Sequence, residues 1–487
     1  MSAARCVPFA LPALAAILLS GALAARADAQ CTPAQPILAP DAMPGDRFGL
    51  GVAMSAERAV IGAQNGDAAS PDFGAAYIYR REANTWVFEQ KIVASDGALG
   101  DQFGFSVAIS GDTIIVGAPG VPGATGVSEG ATYIFVRTAG VWTEQARLTA
   151  TSPMTLDAFG TSVAISGETA LIGVPGDDDL AGVDQGSAFV FTRSGDTWAM
   201  QAQLLASDAA ASDAFGFSVA LHADTALIGA RLDNGAAGVD QGSAYVFTRS
   251  GTAWSEQAHL FASDAAPADH FGFSTAVRAD TALIGARLDN GPAGNDQGSA
   301  YVFTRTGASW SQQQKLIASD AGSLDFFGTA AALHDNTAIV GARNDNGPAG
   351  NDQGSAYVFT RSGVVWTQRA KLTAPNAAAL DFLGSAVAIV GDAALLGADL
   401  KDGPAGVDDG AAYIFRRLGP SWTDSTFFLL GDSDRNGRVN FNDVLMALAA
   451  FGSNYSPGSG LGDADGNGVV NSDDVGTVLA NFGAMCP

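Results

Sequence analysis

Between residues 215 and 262 the chain falls into four short apolar runs separated by turn residues. Segment 215–221 (FGFSVAL) is apolar and small-sided. His222-Ala223-Asp224 is a turn, and 225–230 (TALIGA) is a second apolar run. A polar loop follows at 231–242 (RLDNGAAGVDQG). Segment 243–249 (SAYVFTR) then alternates Tyr and Phe with smaller residues. Ser250-Gly251-Thr252 turns the chain into 254–262 (WSEQAHLFA), which alternates at period two. Period-two alternation, and short apolar runs bounded by Gly, Asp and Ser, predict strands rather than helices. The segment therefore predicts four strands joined by turns.

This unit repeats. The seven tryptophans, Trp86, Trp142, Trp198, Trp254, Trp310, Trp366 and Trp422, are spaced 56 residues apart. A Phe-Gly or Leu-Gly step keeps the same spacing at Phe48, Phe103, Phe159, Phe215, Phe271, Phe327 and Leu383, except for 55 between the first two. Four strands per 40–60-residue repeat is the signature of a β-propeller blade. Strands near a propeller axis crowd together, which suits the Gly, Ala and Ser of the first two runs. Outer strands have room for Tyr, Phe and Trp. Seven units close a ring and remove open sheet edges. An open β-solenoid is the competing architecture, but its coils are usually shorter than this unit. Two closures are open: the first blade borrows Ile37-Leu38-Ala39, or it is completed by the strand from Trp422.

The N-terminus follows a different rule. Arg5 precedes an apolar run, 11–25, and Ala27-Asp28-Ala29 forms a small-residue cleavage site. That is the pattern of a secretory signal peptide over 1–29, which leaves a mature chain with no second long apolar run. Two cysteines then remain, Cys31 and Cys486, at opposite ends of the chain. In an oxidising compartment they are a candidate disulfide pair, the alternative being two separate thiols.

Composition excludes some functions. Of 487 residues, 47% are hydrophobic and 15% charged, so a large core can form. The net charge is −25 with no basic run, which argues against nucleic-acid binding. No G-x-S-x-G, H-E-x-x-H or Gly-rich phosphate loop occurs, so no catalytic residue is assigned. His222 and His334 share a turn position where other units carry Ser166 or Arg278, and they read as solvated turn residues. The remaining histidines are His259 and His270.

The FG…SVA…IGA…GxAYVF pattern resembles the FG-GAP repeat, which builds the seven-bladed propeller at the head of integrin α chains and of many bacterial exported proteins. The resemblance covers about residues 38–429, and Gly117-Ala118-Pro119 is a literal example. It implies a binding or adhesion propeller. Many such repeats carry a D-x-D-x-D-G-x-x-D calcium loop between the first two strands. Here that link is a short turn, as at Ser110-Gly111-Asp112-Thr113, and cannot supply enough oxygens. Acidic residues gather instead before the third strand, at Asp177, Asp178, Asp179, Asp184, Asp233, Asp240, Asp289, Asp296, Asp345 and Asp352. In-phase repeats place these loops on one face. They read first as Asx-turn chemistry and second as a ligand or calcium face. The second unit, with Ser128-Glu129, is the place to look for a break.

The repeat ends at 427–429, and 430–487 form a separate module. Two twelve-residue loops place oxygen ligands at positions 1, 3, 5, 7, 9 and 12. They are Asp432, Asp434, Asn436, Arg438 (backbone carbonyl), Asn440 and Asp443, and Asp463, Asp465, Asn467, Val469 (backbone carbonyl), Asn471 and Asp474. Gly437 and Gly468 sit at the sharp-turn position 6, which is the donor pattern of an EF-hand Ca2+ loop. Predicted helices follow over 444–451 and 475–482. A loop then a helix, twice, with Asp at position 12, resembles the dockerin module, which binds cohesin domains in extracellular assemblies. The resemblance implies a cohesin-like protein partner. Positions 10 and 11 are Phe441-Asn442 and Ser472-Asp473 and neither helix has Lys or Arg, which leaves cell-surface attachment equally open.

The sequence thus predicts a mainly β, exported, non-enzymatic protein: a seven-bladed propeller for adhesion or ligand binding, and a small helical module holding two Ca2+. The rival is an extracellular polysaccharide hydrolase or lyase with paired carboxylates at the propeller centre.

Overall fold

The computed structural model describes residues 35–417, except 67–72, 84, 124–127 and 179–181. The described residues hold 28 strands, numbered β1–β28 along the chain, in seven four-stranded sheets. In the fourth sheet β14 (Phe215–His222), β15 (Thr225–Ala230), β16 (Ser243–Ser250) and β17 (Ala253–Leu260) pair in order, all antiparallel. These are the four segments expected from the pattern, within one or two residues at each end.

The first strand of each sheet touches the first strand of the next, from β2 (Phe48–Met54) round to β26 (Ala386–Val390), and β26 touches β2. The sheets therefore form a closed ring of seven blades. Each second strand is buried along its whole length, as in β15, because adjacent blades cover both its faces. Continuous burial explains why TALIGA shows no alternation. The core is correspondingly divided into layers between blades. One layer joins Leu171 and Val190 of the third blade to Phe215, Ile228 and Tyr245 of the fourth.

Two glycines make this close stacking possible. Gly229, in the second strand, lies so near the next blade that a Cβ there would overlap the carbonyl oxygen of Gly272. Gly272, in the Phe-Gly step, has φ +89°, and a Cβ on it would strike the carbonyl of Ser243. The same pair of contacts recurs at all seven seams, including Gly397 against Gly49 between the last blade and the first. An L-residue at either position meets backbone, which cannot move aside.

A β-bulge stitches the outer edges. Pairing between the third and fourth strands shifts between Val246 and Phe247. The residue skipped in the fourth blade is Gln257, between Glu256 and Ala258, and its Oε1 accepts the indole N–H of Trp310 at 2.9 Å. Gln145, Gln201 and Gln313 do the same for Trp198, Trp254 and Trp366 at 2.8–3.0 Å. A bulge re-aims one side chain, here towards the neighbouring blade.

Closure of the ring differs from both sequence expectations in one respect. β1 (Gln35–Ile37) pairs with β28 (Ala411–Arg416), so the N-terminal segment completes the seventh blade, while the first blade supplies all four of its own strands. Pro36 sits in this edge strand, where a missing N–H costs little. Trp422 lies outside the described residues.

Candidate functional site: the loop face and its rim

Loops joining second to third strands, and those leading into each Phe-Gly step, share one face of the ring. Most of the acidic side chains on this face hold the blades themselves. Asp240, Asp296 and Asp352 have φ of 52–56°, and their N–H groups donate to Asn234, Asn290 and Asn346 Oδ1 at 2.9–3.0 Å. Asp184 donates likewise to Asp178 Oδ1. These bonds span six residues and close each loop onto a left-handed Asp, rather than forming the Asx turns that the turn reading expects, whose bond reaches only two residues on. Ser128 takes the same conformation, φ 59°, so the second unit keeps the turn despite its different residues.

Asp233, Asp289 and Asp345 are buried and serve the third and fourth strands. Asp289 Oδ2 accepts from Tyr301 Oη at 3.2 Å and pairs with Lys315 Nζ at 2.5 Å; Lys315 also reaches Asp264 at 2.7 Å. Asp345, Lys371 and Asp320 repeat the arrangement. In the fourth blade His259 replaces the lysine, stacked 4.0 Å from the Tyr245 ring, with Asp208 and Asp233 at 3.4 and 3.5 Å. Asp177 accepts from Gln203 Nε2. Among the described residues no group of His, Cys, Asp or Glu is arranged to hold a metal ion. Asp179 lies outside the described residues, as do Cys31, Cys486, the signal segment 1–29 and both loops that carry Asp432–Asp443 and Asp463–Asp474. No described helix is long and apolar enough to cross a membrane.

His222 and His334 are half-buried at the opposite face. His222 Nδ1 accepts the N–H of Ala279 in the next blade, as Ser166 Oγ accepts that of Ala223. The turn position is thus a link between blades rather than a wholly solvated residue.

Sequence reasoning missed two columns of the repeat. One is an Asp two residues before each Phe-Gly or Leu-Gly step: Asp46, Asp101, Asp157, Asp213, Asp269, Asp325 and Asp381. All are buried, and each Oδ2 accepts a backbone N–H three residues earlier at 2.5–2.8 Å. Burial first, then nearby carboxylates, pushes Asp157, Asp213 and Asp269 up to about 6. Its sevenfold recurrence was the available signal.

The second column lines the rim where the inner strands begin. The residue after each second strand is Gln64, Pro119, Pro175, Arg231, Arg287, Arg343 and Asp399 in turn. The residue before each Phe or Leu is Arg47, Gln102, Ala158, Ala214, His270, Phe326 and Phe382, all with φ of 54–60°. These positions change from blade to blade while the glycines and buried aspartates do not. The guanidinium carbons of Arg231, Arg287 and Arg343 lie 4.3, 4.0 and 4.5 Å from the ring centres of Phe217, Phe273 and Phe382. Phe217 and Phe273 are 5.0 Å apart. Asp399, the one carboxylate in the second-strand column, is ion-paired with Arg47 and 4.0 Å from Arg343.

The profile of the FG-GAP repeat matches residues 32–79, 86–135, 142–191, 198–247, 254–303, 310–359 and 366–415. Each matched unit spans the outer strand of one blade and the inner three of the next. The first unit starts with β1, which is why β1 is in phase to complete the seventh blade. No curated protein is similar enough to count as a relative. With seven matched units covering most of its length, the chain belongs to the FG-GAP repeat family.

Proposed function

We propose that this is an exported, non-enzymatic binding protein whose propeller presents a ligand-recognition rim and whose C-terminal module docks it to a protein partner or cell surface. The observation that carries the reading is the contrast within the repeat. Seam glycines and buried aspartates recur in every blade, whereas rim residues differ between blades. Function in a common fold lies in such grafted sites.

The C-terminal loops supply the second half of the proposal. Asp432, Asp434, Asn436, Arg438, Asn440 and Asp443 would hold one Ca2+, and Asp463, Asp465, Asn467, Val469, Asn471 and Asp474 a second. Small metal modules couple folding to ion binding, so docking would depend on calcium. Calorimetric titration of the chelator-treated full chain tests this: two equivalents of Ca2+ are expected, and one in a combined Asp432→Asn, Asp434→Asn variant. No calcium heat would remove the docking half and leave the propeller as the whole binding surface.

A further inference from the structure

We propose that the rim of the fourth to sixth blades is an anion-binding site, shaped for the carboxylate or sulfate group of an acidic ligand. This rests on the reading of the rim as a ligand surface and names the chemistry it recognises.

The chain carries a net charge of −25, so two neighbouring arginines without an ion-paired carboxylate, Arg231 and Arg287, need a reason. Arg231 and Arg287 have no carboxylate oxygen of the described residues within ion-pair distance, whereas on the opposite side Arg249 is matched to Asp224 and Arg305 to Asp280. The Nε atoms of Arg231, Arg287 and Arg343 are buried and make no hydrogen bond. Their guanidinium groups rest on phenylalanine faces, which fixes them in place, and the terminal nitrogens of Arg231 and Arg287 are engaged by no carboxylate of the described residues. His270 lies in the same arc, with its Nδ1 buried and unpaired.

The electrostatics agree with this geometry. Burial, then the Arg231 and Arg343 guanidinium groups, pushes Arg287 down to about 10. Burial, then Arg231 and Arg287, pushes His270 down to about 4, so the imidazole is neutral at pH 7. Like charges are thus held together against their mutual repulsion, and a bound oxyanion relieves it while satisfying several N–H donors. The planar fork of arginine matches carboxylate and sulfate bidentately. Asp399 bounds the arc on one side, where it is paired with Arg47, and Pro119 and Pro175 leave the second and third blades without charge there.

The test is calorimetric titration of the full chain with sodium sulfate and with glucuronate, at constant ionic strength in chloride. Sulfate and glucuronate are expected to bind, and Arg287→Gln and Arg231→Gln each to weaken binding at least tenfold. His222→Ser, on the opposite face, is expected to bind as the parent does. Arg287→Gln should also melt no lower than the parent without ligand, because it removes a repelled cation; this shows that lost binding is not lost folding. Absence of anion binding, or binding that Arg287→Gln and Arg231→Gln leave unchanged, would overturn the proposal. An acidic polysaccharide retained equally by parent and Arg287→Gln would overturn the arginine site while leaving the propeller a binding protein.

Discussion

The seam between blades and the rim of the loop face are built from the same repeat and behave in opposite ways. At the seam, Gly229 against Gly272 is repeated by Gly397 against Gly49 on the other side of the ring. At the rim, the residue that follows two positions after such a glycine is Arg231 in one blade, Pro175 in the blade before it and Asp399 in the last. The seam is constrained by backbone packed on backbone, where no side chain fits. The rim meets side chains rather than backbone, so residues as unlike as Gln64, Pro175, Arg231 and Asp399 are accommodated there. A repeat protein can therefore hold one geometry seven times while the residues along one rim differ from blade to blade.

Changes at the seam should have the largest effects. Gly229→Ala places a methyl on the Gly272 carbonyl and is expected to cost about 4 kcal/mol or more, read as loss of the cooperative unfolding transition or of soluble protein. Next comes closure. Removing residues 35–37 strips β1 from β28 and exposes a sheet edge. Lost burial of Ile37 and lost ladder bonds should together cost about 3–5 kcal/mol in denaturant unfolding, with a tendency to aggregate.

The buried aspartates give a smaller, pH-dependent effect. Asp157, Asp213 and Asp269 hold their protons up to about pH 6 in the folded chain, against about 3.9 for an ordinary Asp. The folded state thus binds more protons between those values, so their contribution to stability is full below about pH 4 and is lost as pH rises through about 6. Asp213→Asn should flatten part of that slope in unfolding curves taken at pH 4.5 and pH 7. The outer stitch is weaker still: Gln257→Ala frees the Trp310 indole N–H and should cost about 1 kcal/mol. Smallest for folding are the rim changes, such as Arg231→Gln, expected to leave the unfolding free energy within about 0.5 kcal/mol of the parent. If rim and seam substitutions cost alike, the distinction between them fails.

Much of the scaffold was legible in the sequence. The interval of 56 residues, the TALIGA and SAYVF strands and the Asp-Asn-Gly turns all followed from local patterning, because strand period and turn chemistry are local properties. Closure was less legible. β1 is three residues long, contains Pro36 and lacks the tryptophan that marks the other outer strands, so nothing local assigned it to the seventh blade. The Gln257–Trp310 bond was hidden for a different reason: it depends on a bulge, and a bulge shows in sequence only when the partner strand is known. At the rim, Arg231 and Arg287 read as polar loop residues, since their lack of carboxylate partners appears only in three dimensions. Aligning the seven units would have shown that the position after the second strand changes from Gln64 and Pro119 to Arg231 and Asp399.

Hydrogen exchange of the full chain, with and without a uronic-acid polysaccharide, tests the central claim most directly. The account predicts added protection confined to the rim segments of the fourth to sixth blades, around residues 214–217, 231–235, 270–273, 287–291, 326–329 and 343–347, with the seams unchanged. Protection spread evenly over all seven blades, or none on the loop face, would contradict it.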